Sequence, residues 1–151
     1  MSHNPVNHPA QPVYRAISGL IGIYLVIFGG LGIIETAGGT FFAQSDVRVL
    51  GQGTNIAHSL LSIGLGLVVL IAAIVGRNVD VRVNKPLAYA FMALAVASLA
   101  VLRTDANVLN FSVATCIVTM VIGLALLLAA MYGKVGSDDE HQEWQKARLI
   151  L

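Results

Sequence analysis

The chain has 151 residues, 56% of them hydrophobic and 11% charged, with a net charge of +1. Its 15 glycines bring the apolar share to about two-thirds, against roughly 45–50% in soluble domains, where charged residues make up about 25%. So little charge cannot cover a soluble domain, which excludes an ordinary soluble enzyme and a disordered tail. The lack of a basic stripe excludes a nucleic-acid binder, and a single cysteine, Cys116, excludes a disulfide framework or a thiolate zinc cluster.

Residues 1–13 hold Pro5, Pro9 and Pro12 but no Lys or Arg, and read as a flexible tail rather than a secretory signal. Four apolar stretches follow, at about 16–34, 56–75, 87–102 and 108–131. Crossing hydrocarbon takes about 20 apolar residues, and none of the four carries a charge inside it. The third is short. Proline is tolerated in a first helical turn, so Pro86 fits a start near Lys85. The longest loop, 35–55, carries Gly38, Gly39, Gly51 and Gly53 and the pair Phe41 and Phe42, aromatics expected at the membrane interface. The connection 76–86 is short and basic, and 103–107 reads as a tight turn. Short connections make neighbouring helices antiparallel. The expected fold is therefore an all-α membrane protein: an antiparallel four-transmembrane-helix bundle over 14–135, then a short cytoplasmic amphipathic helix over 136–151.

With the N-terminus inside, Arg15, Arg77, Arg82, Lys85, Lys134, Lys146 and Arg148 lie on the inner side, and only Arg48 and Arg103 on the outer. By the positive-inside rule this predicts a multi-pass protein of the bacterial plasma membrane with both termini cytoplasmic.

Helices in lipid associate through small residues that let backbones approach. The first span has Gly22 and Gly29, the second Ser62 and Gly66, the third Ala93 and Ala97, and the fourth Ala125, Ala129 and Gly133. These stripes either hold the bundle together or dock a partner. The docking candidates are Gly22, Gly29, Gly66, Ala97 and Ala129.

Asn55, His58 and Ser62 recur at helical spacing and share one face. Asn110, Ser112 and Thr115 open the last span and are expected to join them in a polar cluster. An ionisable residue inside a span is a functional hypothesis by default. His58 reads as an interhelical hydrogen bond, to Glu35, Thr36 or an asparagine near Asn107, or as a proton-linked group. It is the one histidine in a span, so no haem or metal ligation, and no cofactor of any kind, is expected. Glu35 reads as a hydrated helix end or as a partner of Arg103 or Arg48, and Cys116 as a packing residue. Gly51-Gln52-Gly53 lacks the context of a phosphate loop, and no catalytic set is visible.

In the C-terminal segment Ser137 and Glu140 have capping-box spacing. Acids open this helix and Lys146 and Arg148 close it, which suits the helix dipole. Trp144, Ala147 and Leu151 share a face, which calls for the membrane surface or a groove on a partner.

Tyr14-Arg15 before a glycine-rich span, Gly29-Gly30-Leu31-Gly32, a glycine-containing loop, and Asn55-x-x-His58 ahead of Ser62 and Gly66 resemble a family of small actinobacterial four-span membrane proteins classed as a domain of unknown function. The resemblance covers about 14–133 and implies no activity. By size and class the chain is also similar to small accessory subunits around actinobacterial respiratory supercomplexes. The expected function is a non-catalytic accessory subunit, not an enzyme, packed against a larger integral membrane complex such as cytochrome oxidase or a bc-type oxidoreductase, and in contact with lipids. The rival is a small homo-oligomeric transporter or channel with a polar path near His58.

Overall fold

The computed structural model describes residues 5–148. Four helices are long and apolar enough to cross a membrane: α1 (Gln11–Glu35), α2 (Ile56–Val75), α3 (Val79–Val101) and α4 (Val113–Tyr132). A short helix, α5 (Asp138–Arg148), follows. The four form an antiparallel bundle of two closely packed hairpins, α1 with α2 and α3 with α4. Leu25, Val69, Ala88, Phe91, Ile122 and Leu126 fill its apolar centre. The start of α1 and the end of α4 lie at one end of the bundle, here the termini end. The opposite end is the loop end.

The helices start and stop where backbone groups find partners. Asn55 opens α2, its side-chain oxygen accepting the His58 N–H at 2.9 Å. Gly76 closes α2 at φ +61°, its N–H bonded to the Ala72 carbonyl at 2.9 Å. Ser112 opens α4 with a capping box to Thr115. The expected capping residue Ser137 opens α5, accepting the Glu140 N–H at 3.3 Å, while the Glu140 carboxylate turns to Lys134.

Small residues set the hairpin spacing. A Cβ on Gly22 would lie 2.8 Å from the Leu70 nitrogen and 2.9 Å from the Gly66 carbonyl oxygen. One on Gly66 would lie 2.8 Å from the Gly22 carbonyl oxygen, and one on Gly29 would strike the Ser59 backbone. Gly123 plays the same part against α3, facing the Ala88 carbonyl and the Met92 nitrogen at 3.0 Å. Gly22, Gly29, Gly66 and Ala129, offered above as docking positions, are therefore buried in the bundle. Ala97 is exposed.

Five boundaries differ from the sequence reading, the first being that α1 begins at Gln11, not near 16. The supposed flexible tail is pinned: Val6 is buried, and Asn7 pairs its amide both ways with the peptide of Gly136, at 3.0 Å each. The third span begins at Val79, not near residue 87, and carries Pro86 inside it. The basic residues Arg82 and Lys85 made this stretch look like a loop, but it is helical, with Asp80 and Asn84 buried on its inner face. The fourth span begins at Val113, not 108, because Asn110 takes φ +53° and breaks the apolar run. The turn expected at 103–107 is the front of a longer connection, 102–112. In addition, Gly51-Gln52-Gly53 belongs to a two-stranded hairpin, β1 (Arg48–Val49) with β2 (Gln52–Gly53). Its turn residues Leu50 and Gly51 both have positive φ, the geometry that suits strand twist.

Candidate functional site

Polar side chains gather at the loop end, where residues 36–55 meet residues 102–112. Asn55, Asn110 and Gln44 carry the contact. The Asn55 amide donates to the carbonyls of Ala43 (3.2 Å) and Val108 (2.8 Å). Asn110 donates to Ser45 (2.8 Å) and Thr54 (2.9 Å). Asn107 closes its own loop, giving its amide to the carbonyls of Leu102 and Phe111 and accepting the Phe111 N–H at 2.8 Å. Gln44 reaches the carbonyls of Asp105 (3.1 Å) and Asn107 (3.3 Å). A primary amide suits this task because it offers two N–H donors and an acceptor to backbone groups that no helix or strand satisfies. Between the two segments lies an open polar recess of about 310 Å³, with Gln44, Asp46, Arg48, Asn107, Asn110 and Ser112 in its wall.

His58 lies beneath this cap. Its ring sits between Phe28 and Phe111, with ring centroids at 5.2 and 4.6 Å. The residue is 7% exposed, and Nδ1 has no hydrogen-bond partner. The interhelical bond expected to Glu35, Thr36 or an asparagine is not made; the ring packs against the two phenylalanine rings. A cavity of about 20 Å³ adjoins it, lined by Tyr24, Gln52, Ser62 and Thr119 among apolar neighbours. That is room for one water molecule, and three or four polar groups surround it, the number a buried water needs. Gln52 donates across the cavity wall to the Tyr24 hydroxyl.

The predicted polar cluster is thus divided. Asn55 and Asn110 are both spent on backbone carbonyls, while His58 and Ser62 face the cavity below. Ser112 and Thr115 join the cap: Ser112 Oγ accepts the Gly53 N–H at 3.1 Å, and Thr115 Oγ1 donates to the Gly53 carbonyl at 3.2 Å. Glu35 pairs with neither Arg48 nor Arg103; among the described residues the one ion pair is Lys134–Glu140, at 3.9 Å. Trp144 stacks on His141, with centroids at 5.9 Å. His141 Nδ1 in turn donates to the Val6 carbonyl at 2.6 Å, which docks α5 on the N-terminal segment. Leu151 lies outside the described residues.

A second polar group, missed in the sequence, lies toward the termini end. The Asn84 amide donates to Ser18 Oγ of α1 at 2.5 Å. Asn84 Oδ1 and Asp80 Oδ1 are both buried without a hydrogen-bond partner. Asp80 is 3% exposed. The signal was present as polar residues four apart, which share a helix face, but it becomes legible only when α3 is extended back to Val79.

A family model described as a domain of unknown function, DUF4383, matches residues 15–132. No curated protein and no solved structure matches the chain.

Proposed function

We propose that this chain, which belongs to the DUF4383 family, is a non-catalytic helical subunit that packs side by side with a larger membrane complex. The observation that carries the reading is the outer face of α3. Ala90, Ala93, Ala97 and Ala100 are all exposed there and fall on one side of the helix by its 3.6-residue period. Gly22, Gly29 and Gly66 of α1 and α2 are consumed inside their hairpin, whereas this face leaves α3 open to the close approach through which membrane helices associate. The loop-end asparagines add support, since their bonding capacity is spent on holding backbone rather than on a reactant.

We assign the complex to the respiratory class, cytochrome oxidase or bc-type, on the resemblance to small supercomplex subunits. The topology we assign is both termini cytoplasmic in a bacterial plasma membrane, on the distribution of basic residues. The rival transporter reading draws on the His58 cavity. A path from there would have to cross the apolar centre of Leu25, Val69, Ala88, Phe91, Ile122 and Leu126, and ion and substrate paths through membranes are lined by polar groups.

The test is affinity purification of the tagged chain from its native membrane in a gentle detergent, read by mass spectrometry and visible absorption. The expected result is co-purifying oxidase or bc-type subunits with haem bands, lost in Ala97→Trp. Recovery of a colourless protein associated only with itself would overturn the reading and move the weight to the oligomeric transporter.

A further inference from the structure

At the termini end, an open groove of about 440 Å³ runs between the start of α1 and the end of α2. Its floor and walls are Pro12, Ala16, Gly19, Leu70, Ala73 and Ile74, and Arg15 stands at its mouth. The Arg15 guanidinium is fixed, Nε donating to the Ala73 carbonyl and Nη2 to the Ile74 carbonyl, at 2.5 Å each. These carbonyls belong to the last turn of α2, where backbone C=O groups lack helical N–H donors. A guanidinium has five N–H donors, and two are used here. Gly76 gives it room: a Cβ there would lie 2.5 Å from Arg15 Cζ. Exposed Arg77 follows Gly76 directly, and Arg82 and Lys85 are exposed on the first turns of α3. The one acid in this quarter, Asp80, is buried. The acidic first turn of α5 lies on the α4 side, against Lys134 and Val6.

We infer that this groove binds an anionic phospholipid, its phosphate on Arg15 and Arg77 and one acyl chain along Ala16, Gly19 and Leu70. Three features point to this one occupant. Apart from Gln11 and the Arg15 guanidinium the groove is lined by apolar side chains, which is the polarity of a phospholipid. Arg15 and Gly19 lie one helical turn apart, about 6 Å along the axis, so the charge and the apolar floor meet at the depth where a headgroup gives way to its chains. Between the end of α2 and Lys85 the exposed charges are all cations, Arg77, Arg82 and Lys85, and basic pockets between membrane helices are a known lodging for anionic headgroups. A preorganised guanidinium adds to this, because its planar fork recognises phosphate with little further ordering. The inference does not depend on which complex, if any, the chain joins.

The test is native mass spectrometry of the full chain in mild detergent. It is titrated with phosphatidylglycerol, with phosphatidylcholine of the same chains, and with water-soluble glycerol phosphate. The expected result is preferential retention of phosphatidylglycerol. Arg77→Gln weakens it about five-fold, the worth of one cation near a membrane surface. Ala16→Phe, which fills the groove without touching the carbonyls that Arg15 binds, abolishes the preference. Should Ala16→Phe fail to fold, Gly19→Leu serves in its place, since a Cβ at Gly19 meets only Ala73 Cβ at 3.8 Å. Equal retention of the two lipids would overturn the proposal. So would competition by glycerol phosphate alone, which would make this a free-phosphate site, or lipid-independent dimers that disappear with Ala16→Phe, which would make the occupant a second copy.

Discussion

Gly22 and Gly30 lie on the same helix, and only one of them is needed where it stands. A methyl group at Gly22 would meet backbone atoms of α2 at 2.8 and 2.9 Å, and backbone cannot turn aside as a side-chain tip can. Gly30 has nothing within 4 Å of that position. We therefore expect Gly22→Ala to lower the thermal midpoint in detergent, by about 1–3 kcal/mol of overpacking. Gly30→Ala should be neutral or stabilising by up to about 1 kcal/mol, the gain in helix propensity. Equal midpoints for the two variants would refute the close approach of α1 and α2. At this scale the sequence was half legible. Asn55 and Asn110 stood out as polar residues beside apolar spans, and the structure does bring their segments together. Their task was not readable, because it depends on which carbonyls the loops leave open, and three of the four lie more than fifty residues away along the chain.

Among the elements, α2 matches its sequence reading from first residue to last, because a capping asparagine and a closing glycine bracket a clean apolar run. The helices α3 and α4 do not, for opposite reasons. In α3, polar residues turn inward, so hydropathy hides two turns of helix. In the connection before α4, Val108, Leu109 and Phe111 are apolar without being helical, and Asn107 and Asn110 supply the backbone bonds that a helix would have made. The inward-turned pair gives a prediction of sign. Asp80 Oδ1 and Asn84 Oδ1 are buried acceptors without donors, one turn apart on one face. Asp80→Asn adds an amide donor on the face that carries the Asn84 oxygen, one helical turn away. It should raise the unfolding midpoint, by on the order of 1–3 kcal/mol, the cost of an unsatisfied buried group. A lowered midpoint would mean that the carboxylate already has a stabilising partner.

The whole molecule is two hairpins joined by the three residues 76–78, all with positive φ, and clamped at both ends by asparagines. At the termini end Asn78 pairs both ways with the peptide of Val135, at 2.7 Å each, and Asn7 does the same with that of Gly136. At the loop end Asn110 holds two carbonyls of the first half. Asn110→Gly keeps the left-handed backbone but loses both bonds, and should cost about 1–3 kcal/mol. Asn110→Ala adds the strain of a Cβ at φ +53° and should cost roughly 1–2 kcal/mol more. Thermal unfolding of the two variants checks the order. The reverse order would show that the backbone at Asn110 adapts.

The division into hairpins also bears on how the molecule is made. Synthesis runs from α1 to α4, so the first hairpin reaches the bilayer before its partner exists. Ser18 waits for an amide 66 residues further on, and the Thr54 carbonyl for one 56 residues on. His58 in the same interval lacks the ring of Phe111 against which it rests. The nascent first half is thus a pair of helices with a polar seam facing lipid, and that seam is sealed only when the second half is inserted beside it. A stop codon after α2 would release it unsealed, as a substrate for membrane proteolysis rather than a stable half-bundle.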